Sequence, residues 1–177
     1  METNTALTQL YCANNSISAL NVSKNTELHV LICHQNKLNT IDVSNNAALT
    51  QLSCGENKIE NLDVSHNRVL KTLGCNNNML NKIDVSNNPE LETLFVYENE
   101  LTALDISHNS ALQRLSMGNN KISELNLNAN PQITQLKCKQ NQLTNLDLSN
   151  LEKLSILDCS NNQLNSLDLT KNSALSS

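Results

Sequence analysis

The chain repeats itself every 21 residues. Leu7, Leu28, Leu49, Leu70, Leu91, Leu112, Ile133 and Leu154 are evenly spaced, and Leu175 continues the series. No insertion or deletion interrupts it. With Leu7 as position 1, positions 1, 4, 6, 11, 14 and 16 are apolar in all eight copies. A constant period of this length requires stacked, near-identical units, each burying its apolar side chains against its neighbours. The composition agrees: two Tyr, one Phe and no Trp leave little to fill an irregular interior. Layers of Leu can fill a regular one. The same periodicity rules out reading the abundant Asn as a disordered, low-complexity tract.

Each copy contains two similar halves. Leu10-x-Cys12-x-x-Asn15 is echoed by Leu20-x-Val22-x-x-Asn25. Both alternate apolar and polar residues with the period of a strand that buries one face. The expected fold is therefore an all-β-like solenoid. It has two short parallel strands per 21-residue repeat, little helix, and two sheets facing each other across a thin Leu core. At about 4.8 Å per coil, eight coils extend on the order of 40 Å. The whole of 1–177 is read as one domain, with eight full repeats over 7–174 and partial repeats at both ends.

Two polar columns have structural work in this arrangement. Position 9 is Asn in every copy, from Asn15 to Asn162, and position 19 is Asn from Asn25 to Asn172 except at Leu151. A corner inside a solenoid leaves backbone N–H and C=O groups without strand partners. An amide side chain can both donate to and accept from them, and can bridge to the adjoining coil.

The segment L-x-x-L-x-L-x-x-N-x-L resembles the conserved segment of leucine-rich repeats. Here it reads Leu49-Thr-Gln-Leu52-Ser-Cys54-Gly-Glu-Asn57-Lys-Ile59, followed by Asn-Leu62-Asp63-Val64-Ser65-His-Asn67. A 21-residue unit with such a second half is similar to the bacterial subclass called IRREKO. The main departure is Cys in place of Leu at position 6. The resemblance implies a right-handed coil that binds proteins or other ligands, often in secreted or cell-surface bacterial proteins. It names no partner.

Nothing in the sequence points to catalysis. The six cysteines, Cys12, Cys33, Cys54, Cys75, Cys138 and Cys159, all fall at position 6, which Val96 and Met117 fill in the other copies. In-register strands point neighbouring Cβ atoms the same way, which suits a disulfide poorly, and a row does not converge on a metal. Free, buried thiols are expected. His29, His34, His66 and His108 do not converge, and no phosphate loop, nucleophile elbow or HExxH motif is present. No cofactor is expected. The net charge of −5 argues against a nucleic-acid partner, and no apolar run approaches a membrane span. The first residues are no signal peptide, so localisation is not read from them.

Two faces remain. Asp42, Asp63, Asp84, Asp105, Asp147 and Asp168 form a ladder at position 15 beside a hydroxyl column at position 17. Hydroxyls or backbone amides are expected to offset the repulsion between these carboxylates, and a Ca2+- or mineral-binding ladder is the alternative. On the other face, Tyr11, Phe95 and Tyr97 gather every aromatic of the chain. Phe95 and Tyr97 share one strand between small residues, Gly74 and Asn76 on one side, Ser116 and Gly118 on the other. They are expected to stand proud of the sheet. Glu98, Arg114, Lys137 and Lys139 rim them, with Ile32 and His34 nearer the N-terminal end. An aromatic centre with a charged rim is the composition of a protein-binding hot spot. A glycan- or cell-surface-binding adhesin module is the alternative. The chain starts inside a repeat and ends two residues past Leu175, with no capping element at either end. A fragment of a longer protein, or self-association through the uncapped ends, would account for this.

Overall fold

The computed structural model describes residues 4–176. Eight three-residue strands form one parallel sheet in chain order: β1 (Gln9–Tyr11), β2 (Val30–Ile32), β3 (Gln51–Ser53), β4 (Thr72–Gly74), β5 (Thr93–Phe95), β6 (Arg114–Ser116), β7 (Gln135–Lys137) and β8 (Ile156–Asp158). Each residue pairs with the one 21 later, as in Leu10↔Leu31 and Leu31↔Leu52. Register cannot slip by one residue without moving the central Leu out of the core. No helix occurs among the described residues.

The core sits where the periodicity put it. In the central coils positions 1, 4, 6, 11 and 16 are fully buried, for example Leu91, Leu94, Val96 and Leu101 at 0% exposure. Position 14 lies at the margin, with Leu62 and Ile83 at 9%. Burial of such a side chain contributes about 1.5–3 kcal/mol, and each coil repeats the contribution on its neighbour.

The second half of each repeat departs from expectation. It alternates buried and exposed side chains through position 16 but forms no second ladder, and the described residues contain a single sheet. Its backbone is spent on turns instead. Asn25 N–H donates to the Val22 carbonyl at 2.9 Å and Leu28 N–H to the Asn25 carbonyl at 3.1 Å, two consecutive tight turns that recur in every coil. Just before them the side chain at position 15 takes the amide of position 17: Asp42 Oδ1 accepts from Ser44 N–H at 2.9 Å. Amides captured within a coil are not available to the next one.

Side-chain amides tie the coils together there. Asn46 Nδ2 donates to the carbonyls of Val22 at 3.1 Å and Asn25 at 2.7 Å, both in the preceding coil. At the other corner Asn36 Nδ2 donates to Cys12 and Cys33 carbonyls while its Oδ1 accepts from Ile17 N–H at 2.9 Å. The position-9 column thus both donates and accepts as expected, whereas the position-19 column bridges the coils by donation alone. The corner after each strand also needs a left-handed residue. Position 8 has φ between 51° and 57° in all eight copies, at Asn14, Gln35, Glu56, Asn77, Glu98, Asn119, Gln140 and Asn161. Asn tolerates this backbone; the Gln and Glu copies are held in it by the ladder on either side.

Candidate functional site

The exposed face of the sheet is a grid, with strands as rows and positions 3, 5 and 7 as columns. Across β5, β6 and β7 the position-5 column reads Phe95, Ser116, Lys137 in direct register. Two residues on, in the corners just past the strand ends, the position-7 column reads Tyr97, Gly118, Lys139, so Tyr97 lies beyond β5 and, contrary to expectation, does not share its strand with Phe95. Each column places an aromatic, then a small residue, then a lysine. At about 4.8 Å per strand the aromatic and cationic rows lie roughly 10 Å apart, with the small residues as the floor between them.

That floor is open. A groove of about 230 Å³ is lined by Phe95, Tyr97, Arg114, Leu115, Ser116, Gln135 and Lys137. A second, of about 270 Å³, adjoins it through Tyr97, Ser116 and Lys137 and adds Glu98, Gly118, Asn119 and Lys139. Arg114 is steadied by donation from Nε to Thr93 Oγ1 at 3.2 Å. Lys139 leans back over the corner after β6. A Cβ at Gly118 would lie 3.0 Å from Lys139 Cγ and 3.1 Å from its carbonyl oxygen, so the glycine gives the lysine stem its place. Burial, then the carboxylates of Glu98 and Glu56, pushes the Tyr97 phenol above its ordinary pKa. The ion pairs among the described residues are Lys71–Glu92 at 3.8 Å and Lys121–Glu100 at 3.1 Å. Arg114, Lys137 and Lys139 belong to neither.

The structure brings Phe95, Tyr97, Arg114 and Lys137 onto one groove, and Glu98 and Lys139 onto its continuation. Phe95 and Tyr97 are half-buried, which corrects the expectation that they stand proud. Tyr11, Ile32 and His34 share the sheet but lie on β1, β2 and the corner after β2, three or more strands from Phe95. Tyr11 is 66% exposed and lines neither groove. Gln135 and Asn119 escaped sequence reasoning. The signal for Gln135 was its column, since position 3 of β7 must stand beside Lys137 on the same face.

The opposite side carries a wider groove of about 660 Å³ over Asp42, Asp63 and Asp84. Its size does not make it the better site, because its carboxylates are already engaged. Asp42 Oδ1 accepts from both the amide and the hydroxyl of Ser44, at 2.9 and 2.7 Å. Hydrogen bonds from the Ser at position 17 hold Asp42, Asp63, Asp84, Asp105 and Asp147 below the usual carboxylate range, and Thr170 does so for Asp168. Among the described residues no three His, Cys, Asp or Glu side chains are grouped to hold a metal ion. The His66 and His108 rings hydrogen-bond to the neighbouring Ser65 and Ser107 hydroxyls, at 3.2 and 3.1 Å. All six cysteines are free thiols, but Cys12 and Cys159, in the first and last coils, are only partly buried, which departs from the expectation for those two. Burial pushes Cys33, Cys75 and Cys138 up to about 12, so these thiols are poor nucleophiles. No helix among the described residues is long and apolar enough to cross a membrane.

Neither a family model nor a curated protein matches the chain. Solved structures do. The functional domain of InlJ from Listeria monocytogenes, which includes a cysteine ladder, is 41% identical over 98% of this chain with a TM-score of 0.97. The internalin InlF of the same organism is 28% identical over 92%, with a TM-score of 0.89. A leucine-rich-repeat protein of Leptospira interrogans is 22% identical over 97%, with a TM-score of 0.90, and supports the fold alone. This chain spans 39%, 50% and 48% of those three chains respectively.

Proposed function

We propose that this leucine-rich-repeat solenoid, similar along nearly its whole length to bacterial internalin domains, is a non-catalytic scaffold for a protein partner. The partner seats on the exposed face of the eight-stranded sheet, with Phe95 and Tyr97 as its anchors. The observation that carries this reading is the groove itself: both aromatics line it beside Arg114 and Lys137. Aromatic side chains bordered by charge supply most of the energy of many protein interfaces. Against an enzyme stand the engaged Asp row, the scattered histidines and the buried thiols.

Replacing Phe95 and Tyr97 together with Ala tests the reading. Binding in a pull-down should weaken by at least about 2 kcal/mol, roughly thirtyfold. The fold should survive, since only half-buried contacts are lost: about 2 kcal/mol, or roughly 4–8 °C in Tm. A double change on the other side, Asp84→Asn with Asp105→Asn, should leave binding intact. If that control abolishes binding and the aromatic pair is silent, the partner uses the opposite face. A glycan array run on the same variants separates a protein partner from a sugar.

A further inference from the structure

We infer that the groove over β6 selects an acidic, extended segment of the partner, laid along the strand with its apolar side chains on Phe95 and Tyr97 and its carboxylates on Lys137 and Lys139. This rests on the sheet-face reading above and adds the chemistry of what fills it.

The first support is local charge. The chain as a whole is acidic at −5. Yet Arg114, Lys137 and Lys139 border the groove, against one carboxylate, Glu98. None of the three cations takes part in the ion pairs found among the described residues. Asp158, the acid next in register to Lys137 on β8, accepts from Ser160 Oγ at 2.6 Å and is also stabilised as a carboxylate by Lys139 and Lys137, so it offsets part of their charge without forming an ion pair with either. The three exposed cations outnumber Glu98 and Asp158 and stand over a floor of small residues, so a net positive surface remains for unlike charge to complement.

The second support is shape. The order aromatic, small, lysine occurs in two columns of the same three coils, one at the strand ends and one in the corners that follow, so the slot runs along the strand direction and not across it. Its walls are about 10 Å apart and its floor is one strand wide. That admits a single extended chain whose alternate side chains reach opposite walls. The lean of Lys139 over Gly118 brings its stem over the floor, where an ammonium and a ring can be met by one peptide. The other half of the sheet face has no comparable pairing: Tyr11, Ile32 and Ser53 follow one another at position 5 with no lysine opposite.

Panning random dodecapeptides on phage against the 177-residue chain tests this, with the Phe95→Ala/Tyr97→Ala variant as counter-selection. The expected pool is net acidic and carries at least one bulky apolar residue per peptide. For a synthesised member, Lys137→Glu with Lys139→Glu should weaken binding at least tenfold, and Lys137→Gln with Lys139→Gln by less. Converting the peptide's Asp and Glu to Asn and Gln should cause a similar loss, and affinity should fall with added salt. Both lysines are exposed, so circular dichroism and Tm should match the parent. A pool that depends on Phe95 and Tyr97 but is neutral or basic overturns the acidic assignment and leaves the face. A pool indifferent to the two aromatics, or no enrichment at all, overturns both. Lysine-dependent binding of sulfated or sialylated glycans without any peptide overturns the peptide assignment.

Discussion

At the scale of single residues, the amide of asparagine does what no apolar side chain can. Asn109 Nδ2 donates to the carbonyls of Val85 and Asn88, each at 2.9 Å, in the coil before it. Its Oδ1 is buried without a protein partner, as it is at every Asn of position 19. Leu151 shows the column without the amide: it is fully buried, and Asn150 next to it donates instead to the Asn128 carbonyl at 2.8 Å. Asn109→Leu should therefore cost least, Asn109→Ala about 1–3 kcal/mol, and Asn109→Asp most, because a carboxylate would face two carbonyl oxygens in the interior. Urea unfolding ranks them, and an Asp variant milder than the Leu variant would refute the account. The cysteines make a second residue-scale test. Cys33, Cys54, Cys75 and Cys138 are buried, while Cys12 and Cys159 are partly exposed. A thiol reagent at pH 8 should find two slowly reacting groups in the native chain and six after denaturation. Rapid reaction of four or more would show that the coils open easily.

At the scale of elements, each coil combines one strand with one run of turns, and the two respond differently to pH. Strand pairing itself is made by backbone groups, and one carboxylate on the strands, Asp158, is held below its ordinary range by Ser160. The turns involve titrating groups, since Asp42, Asp63, Asp84, Asp105, Asp147 and Asp168 are held below their ordinary range by hydrogen bonds at position 17. A carboxylate whose folded pKa is lowered stabilises the fold above its unfolded value, and that contribution is lost as pH falls through the folded one. Stability should accordingly decline below about pH 4. Asn already serves at this position: Asn21 Oδ1 accepts from Ser23 N–H, and Asn126 Oδ1 from Asn128 N–H, both at 3.0 Å. Changing all six Asp to Asn should keep the turns and flatten the fall in Tm between pH 7 and pH 3. An undiminished fall would assign acid sensitivity to other groups.

At the scale of the molecule, contacts run only between adjoining strands, β1 with β2 through β7 with β8. Stability in such a stack is close to a sum over coils and interfaces, so a coil can be removed whole but not in part. Deleting 28–48 joins Glu27 to Leu49 and keeps every column in register. The shortened chain should retain its circular dichroism spectrum with a lower Tm, whereas deleting 28–37 should unfold it. The same deletion removes Ile32 and His34 and leaves the groove over β6 untouched. Binding that survives it confines the site to the later coils; binding that is lost extends the site to β2.

Period, register, core and the two Asn columns were all determined by the amino-acid sequence, because identical spacing allows only one way to bury six apolar positions per coil. It also put Phe95 and Tyr97 on one face beside Arg114, Lys137 and Lys139, since alternation along a strand assigns faces directly. Whether the second half forms a ladder was not legible. An apolar–polar alternation such as Ala19-Leu20-Asn21-Val22-Ser23 tells which side chains are buried, not where backbone amides go. Only in the folded coil does the residue at position 15 capture the amide at position 17, leaving side-chain amides to join the coils. The groove was decided at the same level. Half-burial of the two rings, the lean of Lys139 across Gly118 and the recruitment of Gln135 depend on what lies 21 residues before and after each residue. Those neighbours meet only when the coils stack.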